Sequence, residues 1–220
     1  MNSRDFEIIP LQVPNTDVPQ RAKRADAIAN RELILATAQR LFAEYGVANV
    51  CMSAIAEAAG VGKGTLYRGF ANKGELCLAL MDEDMRSFQS QTLQMLRSEH
   101  DQPALNRLDT FIDRLVHYMD VHAPLLREVQ LHGVFQDDTY ANQASPQMWL
   151  PWLRDTIGIL LHQAEQQGEA ANLDIPYLVD AILAPLAADL FMYQREVLGF
   201  ELERISRGLR QLVLDGCRAR

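Results

Sequence analysis

The chain has 220 residues, 48% of them hydrophobic and 23% charged, the composition of a soluble globular protein able to bury its own core. Its three cysteines, Cys51, Cys77 and Cys217, lie far apart without a Cys-x-x-Cys spacing, which excludes a disulfide scaffold and a structural zinc site and fits a reducing compartment. The net charge of -8 is unevenly spread: residues 21–73 carry eight basic and four acidic side chains, whereas residues 81–220 carry twelve arginines against twenty-one acids. A basic head on an acidic body offers phosphates one attractive face and repels them elsewhere.

Residues 1–27 are expected to form a flexible basic arm, punctuated by Pro10, Pro14 and Pro19 and ending in Arg21, Lys23 and Arg24. They lack the apolar run of a secretory signal. The most apolar long stretch, from Leu178 to Tyr193, carries Asp180 and Asp189 and is too short to span a bilayer. A cytoplasmic location without membrane contact is therefore expected. The arm's cations suit either a flanking minor groove or a solubilising tail.

From Asn30 onward, Ile34, Ala38, Leu41, Phe42 and Tyr45 recur at helical spacing, and Gly46 supplies a stop. A short helix is predicted over Met52–Ala59. Gly60, Val61 and Gly62 interrupt it, with glycine tolerating the positive φ of a tight turn, and a second short helix runs from Lys63 to Phe70. Val61 and Leu66 are expected to pack inward with Ile55 and Phe42. Asn72 and Glu75 stand three apart as a capping box opening a long fourth helix through Leu76 and Leu80. Two short helices joined by a glycine turn and braced by longer ones make a helix-turn-helix unit at residues 51–70.

The remainder also reads helical, with candidates at Ala104–His122, Pro124–His132, Pro146–Gly168, Ile175–Leu198 and Phe200–Cys217. Pro124 and Pro146 occupy tolerated first-turn positions, the latter after a capping Ser145, while Pro185 should kink its helix. The predicted fold is all-α with about nine helices: a three-helix DNA-binding domain over residues 28–88 and a helical bundle over residues 89–220.

The strings ILATAQRLFAEYGVANV and SAIAEAAGVGKGTLYRGFANKGELCLALM, over roughly residues 28–88, resemble the tetracycline-repressor (TetR) family of bacterial regulators. Apolar spacing, both turn glycines, the Lys-Gly-Thr-Leu-Tyr string and the Phe-x-x-Lys sequel all coincide; beyond residue 90 the likeness is architectural. On this basis Ser53, Gly62, Lys63, Gly64, Thr65, Tyr67, Arg68 and Lys73 are expected to contact DNA. Arg68 suits a bidentate pair with guanine and Thr65 a thymine methyl, while Lys63, Tyr67 and Lys73 suit phosphates. Gly64 lets backbone approach closely. Two positions depart from the family: Cys51 stands where threonine is usual, with Ser53 as a partial substitute, and Gly69 replaces a frequent aromatic or histidine.

The resemblance further implies a small apolar or amphipathic effector held in the bundle. Its expected lining is Phe111, Leu115, His117, Tyr118 and Met119 on one helix, then His132, Phe135, Met148, Trp149, Trp152 and Phe191. Gln130 is a further polar candidate. The spacing alone is equally that of a plain core. The family pairs its last helices across a two-fold axis, which assigns Leu186, Leu190, Val197, Leu202, Ile205 and Leu209 to a homodimer interface. Two heads on a near-palindromic operator also require a dimer, with half-sites about one helical turn apart, roughly 34 Å.

Competing chemistry is weaker. Gly62-Lys63-Gly64-Thr65 lacks the spacing of a phosphate-binding loop, since Glu57 stands where its first glycine belongs and Gly64 follows the lysine. Asp109, Asp113 and His117 share a helix face, yet a solvated stripe explains them better than a metal site. No nucleophile is paired with a base by a recognisable motif, so no enzyme, metal or cofactor is expected. The expected function is a dimeric, ligand-responsive transcriptional repressor on duplex DNA. The alternative is a helical small-molecule binder or enzyme that has lost DNA binding.

Overall fold

The computed structural model describes residues 17–133 and 149–217, and among these described residues there are nine α-helices, 3-10 and π turns, and no strand. The first helix, α1, spans Asp17–Tyr45. Residues 17–27, expected within the arm, are thus its first turns. Gly46, at φ +80°, ends α1 and donates its N–H to Phe42 O at 2.9 Å. A 3-10 turn, Val47–Asn49, leads into α2 (Met52–Ala58), α3 (Lys63–Gly69) and the long α4 (Lys73–Ser98).

The head folds around Ile34, Ala38 and Phe42 of α1, Ile55 of α2 and Leu66 of α3, all buried. Burying a leucine such as Leu66 contributes about 1.5–3 kcal/mol, a large share of what so small a unit can hold. The predicted cap is present: Asn72 accepts from Glu75 N–H at 2.9 Å, and the Glu75 carboxylate reaches back to Ala71 N–H at 2.7 Å. From there α4 runs out of the head without a break. The expected boundary at residue 88 falls inside it.

The body is built around α5 (Ala104–Leu131), which packs against α4, α6 (Trp149–Gln166), α8 (Ala188–Met192) and α9 (Leu202–Cys217). Instead of the two expected helices, α5 is continuous, with Pro124 inside it. Proline there loses one backbone bond. Buried Ala123, Leu126 and Val129 on either side supply the packing that carries the helix through. The N–H groups at the start of α5 are satisfied by Glu169, which accepts from Ala104 at 2.7 Å and Leu105 at 3.0 Å.

The expected helix Ile175–Leu198 is α7 (Ile175–Leu183), a 3-10 turn at Ala184–Leu186, α8, and a π-helical turn at Tyr193–Val197. The halves Ile175–Leu186 and Ala188–Val197 bend by 45° at Ala187, which takes ψ 133°, two residues beyond Pro185, where the sequence predicts the kink. No single described helix is long and apolar enough to cross a membrane; that bent pair is by length and composition, but it is in part a core element.

The acidic stripe of α5 fastens α9. Arg210 donates to both oxygens of Asp109, at 2.6 and 2.8 Å, and to Asp113 at 3.1 Å, while Ser206 donates to Asp113 at 2.5 Å. One turn beyond His117, Asp120 receives Arg195 at 2.8 Å. The carboxylates that raised a metal reading are bridges between helices.

Candidate nucleic-acid interface

The turn between α2 and α3 is tight because Gly60 takes φ +66°. Gly62, expected to share that role, does not: its φ is -65°, it serves as the N-cap of α3, and a Cβ there would meet nothing within 4 Å. Leu66 faces the core, so the helical period turns Lys63, Gly64, Tyr67 and Arg68 outward, all exposed, with Thr65 half-buried beside them. Arg68 Nη2 donates to Thr65 Oγ1 at 3.1 Å, holding the guanidinium along the outer face one turn from the helix start. At the head of α2, exposed Ser53 lies 3.0 Å from Cys51 Sγ, and this hydrogen bond holds the exposed Cys51 thiol below its ordinary pKa. Gly69 is exposed, with open space where a Cβ would be.

Arg31 of α1 was not anticipated. Its guanidinium lies 4.4 Å from the Phe70 ring centroid and donates to Gly69 O at 3.3 Å, tying α1 to the end of α3. Its only sequence signal is its position, three residues ahead of Ile34 on the face that turns toward α3.

Lys73 leaves the DNA-facing set. It is 9% exposed, and its ammonium donates to Val47 O at 2.5 Å and Glu128 Oε1 at 3.2 Å, 5.8 Å from the Phe42 ring. Position one of α4 points back into the crease between head and body, where a buried carboxylate neutralises it. The cation that the sequence placed on the outer surface is an internal strut.

In the body, Phe111, Tyr118, Trp149 and Trp152 form one aromatic cluster with Phe88 of α4. Leu115, Met119 and Trp149 line a cavity of about 320 Å³ between α5, α6 and α7, which Gln130 and the Arg154–Asp180 ion pair edge. The structure separates the other expected residues from that cavity. His117 is exposed and turned onto Asp113 O at 2.8 Å, because position 117 lies on the outer face of α5. His132 caps the end of α5 through Glu128 O at 2.9 Å. Phe191 is buried facing a different hollow, lined by Asp120, Pro124, Arg195 and Phe200. Phe135 and Met148 lie outside the described residues.

The expected dimer residues also divide. Leu186, Ile205 and Leu209 are buried within the protomer, since the apolar stripe of α9 covers α5. Leu202 is half-buried. Leu190 and Val197 are exposed, together with Tyr193, Leu198 and Leu212.

Residues 34–80 match the family model described as bacterial regulatory proteins, tetR family. The chain is 43% identical over 77 residues to the HTH-type transcriptional regulator SAB2452 of Staphylococcus aureus, a stretch covering 35% of this chain and 42% of that protein, under half its length. It is 27% identical over 176 residues to SAR0097 of the same species, covering 79% of this chain and 86% of the relative. Among solved structures, Thermus thermophilus FadR, a TetR-family transcriptional repressor in complex with lauroyl-CoA, superposes with a TM-score of 0.59 at 18% identity, over 86% of this chain and 96% of that one. A regulator from Saccharomonospora viridis in complex with choline gives 0.61 at 17% identity, over 86% and 98%. A glycine-turned pair of short helices and a capped fourth helix make the segment 34–80 similar to the tetR family of bacterial regulatory proteins, and the described residues as a whole share the fold of those solved regulators.

Proposed function

We propose that the protein is a cytoplasmic homodimeric repressor that binds a near-palindromic operator through α3 and releases it when a small molecule occupies the body. The observation that carries this reading is the division of α3. Leu66 is fully buried, while Lys63, Gly64, Tyr67 and Arg68 are exposed on the opposite side of the same two turns. On this one short helix, exposed Lys63 and Arg68, the Thr65 hydroxyl and the exposed Tyr67 ring lie together. Arg68 would read a guanine and Thr65 a thymine methyl, with Lys63, Tyr67 and Ser53 on phosphates.

An effector acts only through its different affinity for two arrangements of the heads. Because α4 belongs to both halves, a ligand beside its body end can re-aim its head end. Acyl-CoA and choline complexes of similarly folded regulators support a ligand in the body. The deciding experiment is a genome-wide binding assay followed by gel shifts on recovered sites. Wild type should select one sequence, and Arg68→Ala should lose discrimination at one base pair, about 1–3 kcal/mol. A wild-type protein without sequence preference overturns the reading.

A further inference from the structure

Two long helices face each other across the middle of the body, and their side chains pair in antiparallel register. Asp84, Phe88 and Thr92 succeed one another every four residues on α4. Opposite them, His122, Tyr118 and Arg114 do the same on α5. Asp84 Oδ2 stands 3.2 Å from His122 Nε2, the Phe88 and Tyr118 ring centroids are 4.9 Å apart, and the Arg114 guanidinium lies 5.7 Å from the Phe88 centroid. Trp149 closes this seam, 5.5 Å from Phe88 and 4.9 Å from Tyr118, and Trp152 stacks behind it at 5.6 Å.

The seam is aromatic, yet its polar atoms are unserved. Thr92 Oγ1, Arg114 Nε, Tyr118 Oη and both ring nitrogens of His122 are buried without a hydrogen-bond partner. The Asp84 carboxylate is near His122 but out of line for a hydrogen bond. Thr92, Tyr118 and His122 are each more than nine-tenths buried. Among the described residues the only other such atom is Arg107 Nε, so the deficit is concentrated on these two stripes. Buried polar atoms are nearly always satisfied, so a cluster of exceptions calls for a partner, either water or a bound molecule.

We propose that this seam binds a flat oxygenated aromatic molecule of two to three rings, with hydroxyl or carbonyl groups toward both ends. The ligand's rings lie against Phe88, Tyr118 and Trp149, and its oxygens meet the unserved atoms. Arg114 Nε is purely a donor, the Tyr118 and Thr92 hydroxyls act either way, and neutral His122 offers one donor and one acceptor. The seam therefore asks for several oxygen acceptors and at least one hydroxyl donor. Arg114 and His122 are eight residues apart on α5, about 12 Å along the axis, which sets the length. Asp84 at one end and Arg114 at the other leave no net charge to be matched, so the ligand is neutral. The rings of the seam touch one another, so the room lies beside it: Trp149 is also a wall of the 320 Å³ cavity, and turning that indole would open the packed rings to the cavity. This identification rests on the body being an effector domain and names the class of effector.

The chain's two tryptophans are the two in the seam, so tryptophan fluorescence reports the seam and the cavity behind Trp149. Full-length protein is titrated with quercetin, a hydroxylated three-ring molecule, and with flavone, the same skeleton without hydroxyls, with inner-filter correction. Quercetin should quench with micromolar affinity and flavone bind at least about tenfold more weakly, the scale of one or two hydrogen bonds. Tyr118→Phe should weaken quercetin about tenfold, leave flavone unchanged, and leave the melting temperature of the free protein equal or higher, because it deletes a hydroxyl with nothing to bond. Equal affinity for the two probes, no quenching, saturation by lauroyl-CoA or choline in preference to quercetin, or a lower melting point for free Tyr118→Phe would each overturn the proposal. Gel shifts on the same preparation separate the readings: retained DNA binding without quercetin quenching defeats the ligand class alone, and quenching without any DNA preference defeats the repressor reading.

Discussion

The ammonium of Lys73 stands 3.2 Å from the carboxylate of Glu128, and both side chains are nearly buried. Lys73 also holds Val47 O at 2.5 Å, so one cation ties the first turn of α4 to the 3-10 turn after α1 and to the last turns of α5. Head and body are thus joined by a charge pair as well as by the continuous α4. Any shift of α5 relative to α4 must be felt at this joint.

Removing one partner of a buried pair strands the other, at a cost of about 3–5 kcal/mol. Lys73→Ala should therefore lower the melting temperature by roughly 10 °C in a chain of this size. The salt dependence of DNA binding separates this from a phosphate role. Lys63→Ala should flatten the slope of log K against log salt by about one unit, whereas Lys73→Ala should leave it unchanged. A flattened slope for Lys73→Ala would return that lysine to the DNA surface.

The three cysteines should divide sharply toward a thiol reagent. Cys51 is exposed and its thiol is lowered by the Ser53 hydrogen bond, whereas burial pushes the Cys77 thiol up to about 12 and raises that of Cys217. Ellman's reagent should titrate one thiol per native chain and three after denaturation, and Ser53→Ala should slow the native reaction. Since Cys51 is the N-cap residue of α2, beside the surface proposed to meet DNA, the derivatised protein should also lose its gel shift. Two fast thiols in the native state would contradict the burial described.

His122 makes stability depend on pH. Burial among the rings holds its imidazole below the ordinary value, partly opposed by Asp84. The unfolded chain takes up the proton near pH 6.5, before the folded one does, so the unfolded state binds more protons in that window and stability falls as pH drops below about 6.5. The loss levels off once the folded imidazole is protonated as well. Thermal melts of wild type and His122→Leu between pH 8 and pH 5 should show a steeper decline for wild type; parallel curves would remove His122 from the account.

Exposed and buried apolar residues near the C-terminus should behave oppositely. Val197→Asp or Leu212→Asp should yield a folded monomer in sedimentation analysis, with weakened operator binding. Ile205→Asp, which buries an unpaired charge under α5, should give little folded protein. A dimer that survives Val197→Asp and Leu212→Asp together would place the two-fold axis elsewhere.

Much of the head was legible because its determinants are local. The period of Ile34, Ala38 and Phe42, the stop at Gly46, the positive φ of Gly60 and the cap from Asn72 to Glu75 each act within a few residues, where helix geometry alone places the groups. The body was legible only as helices. Pro124 marks a break in the sequence, yet α5 runs through it because neighbouring helices grip both sides.

Residue order and periodicity alone were enough to show a helical chain, a pair of short helices about a glycine turn, and Arg68 and Lys63 facing outward with Leu66 facing in. That Lys73 is a buried strut, that His117 faces solvent, and that Ile205 and Leu209 close the protomer's own core came from packing. Periodicity fixes which residues share a face, whereas the partner a face meets depends on helices brought in from dozens of residues away.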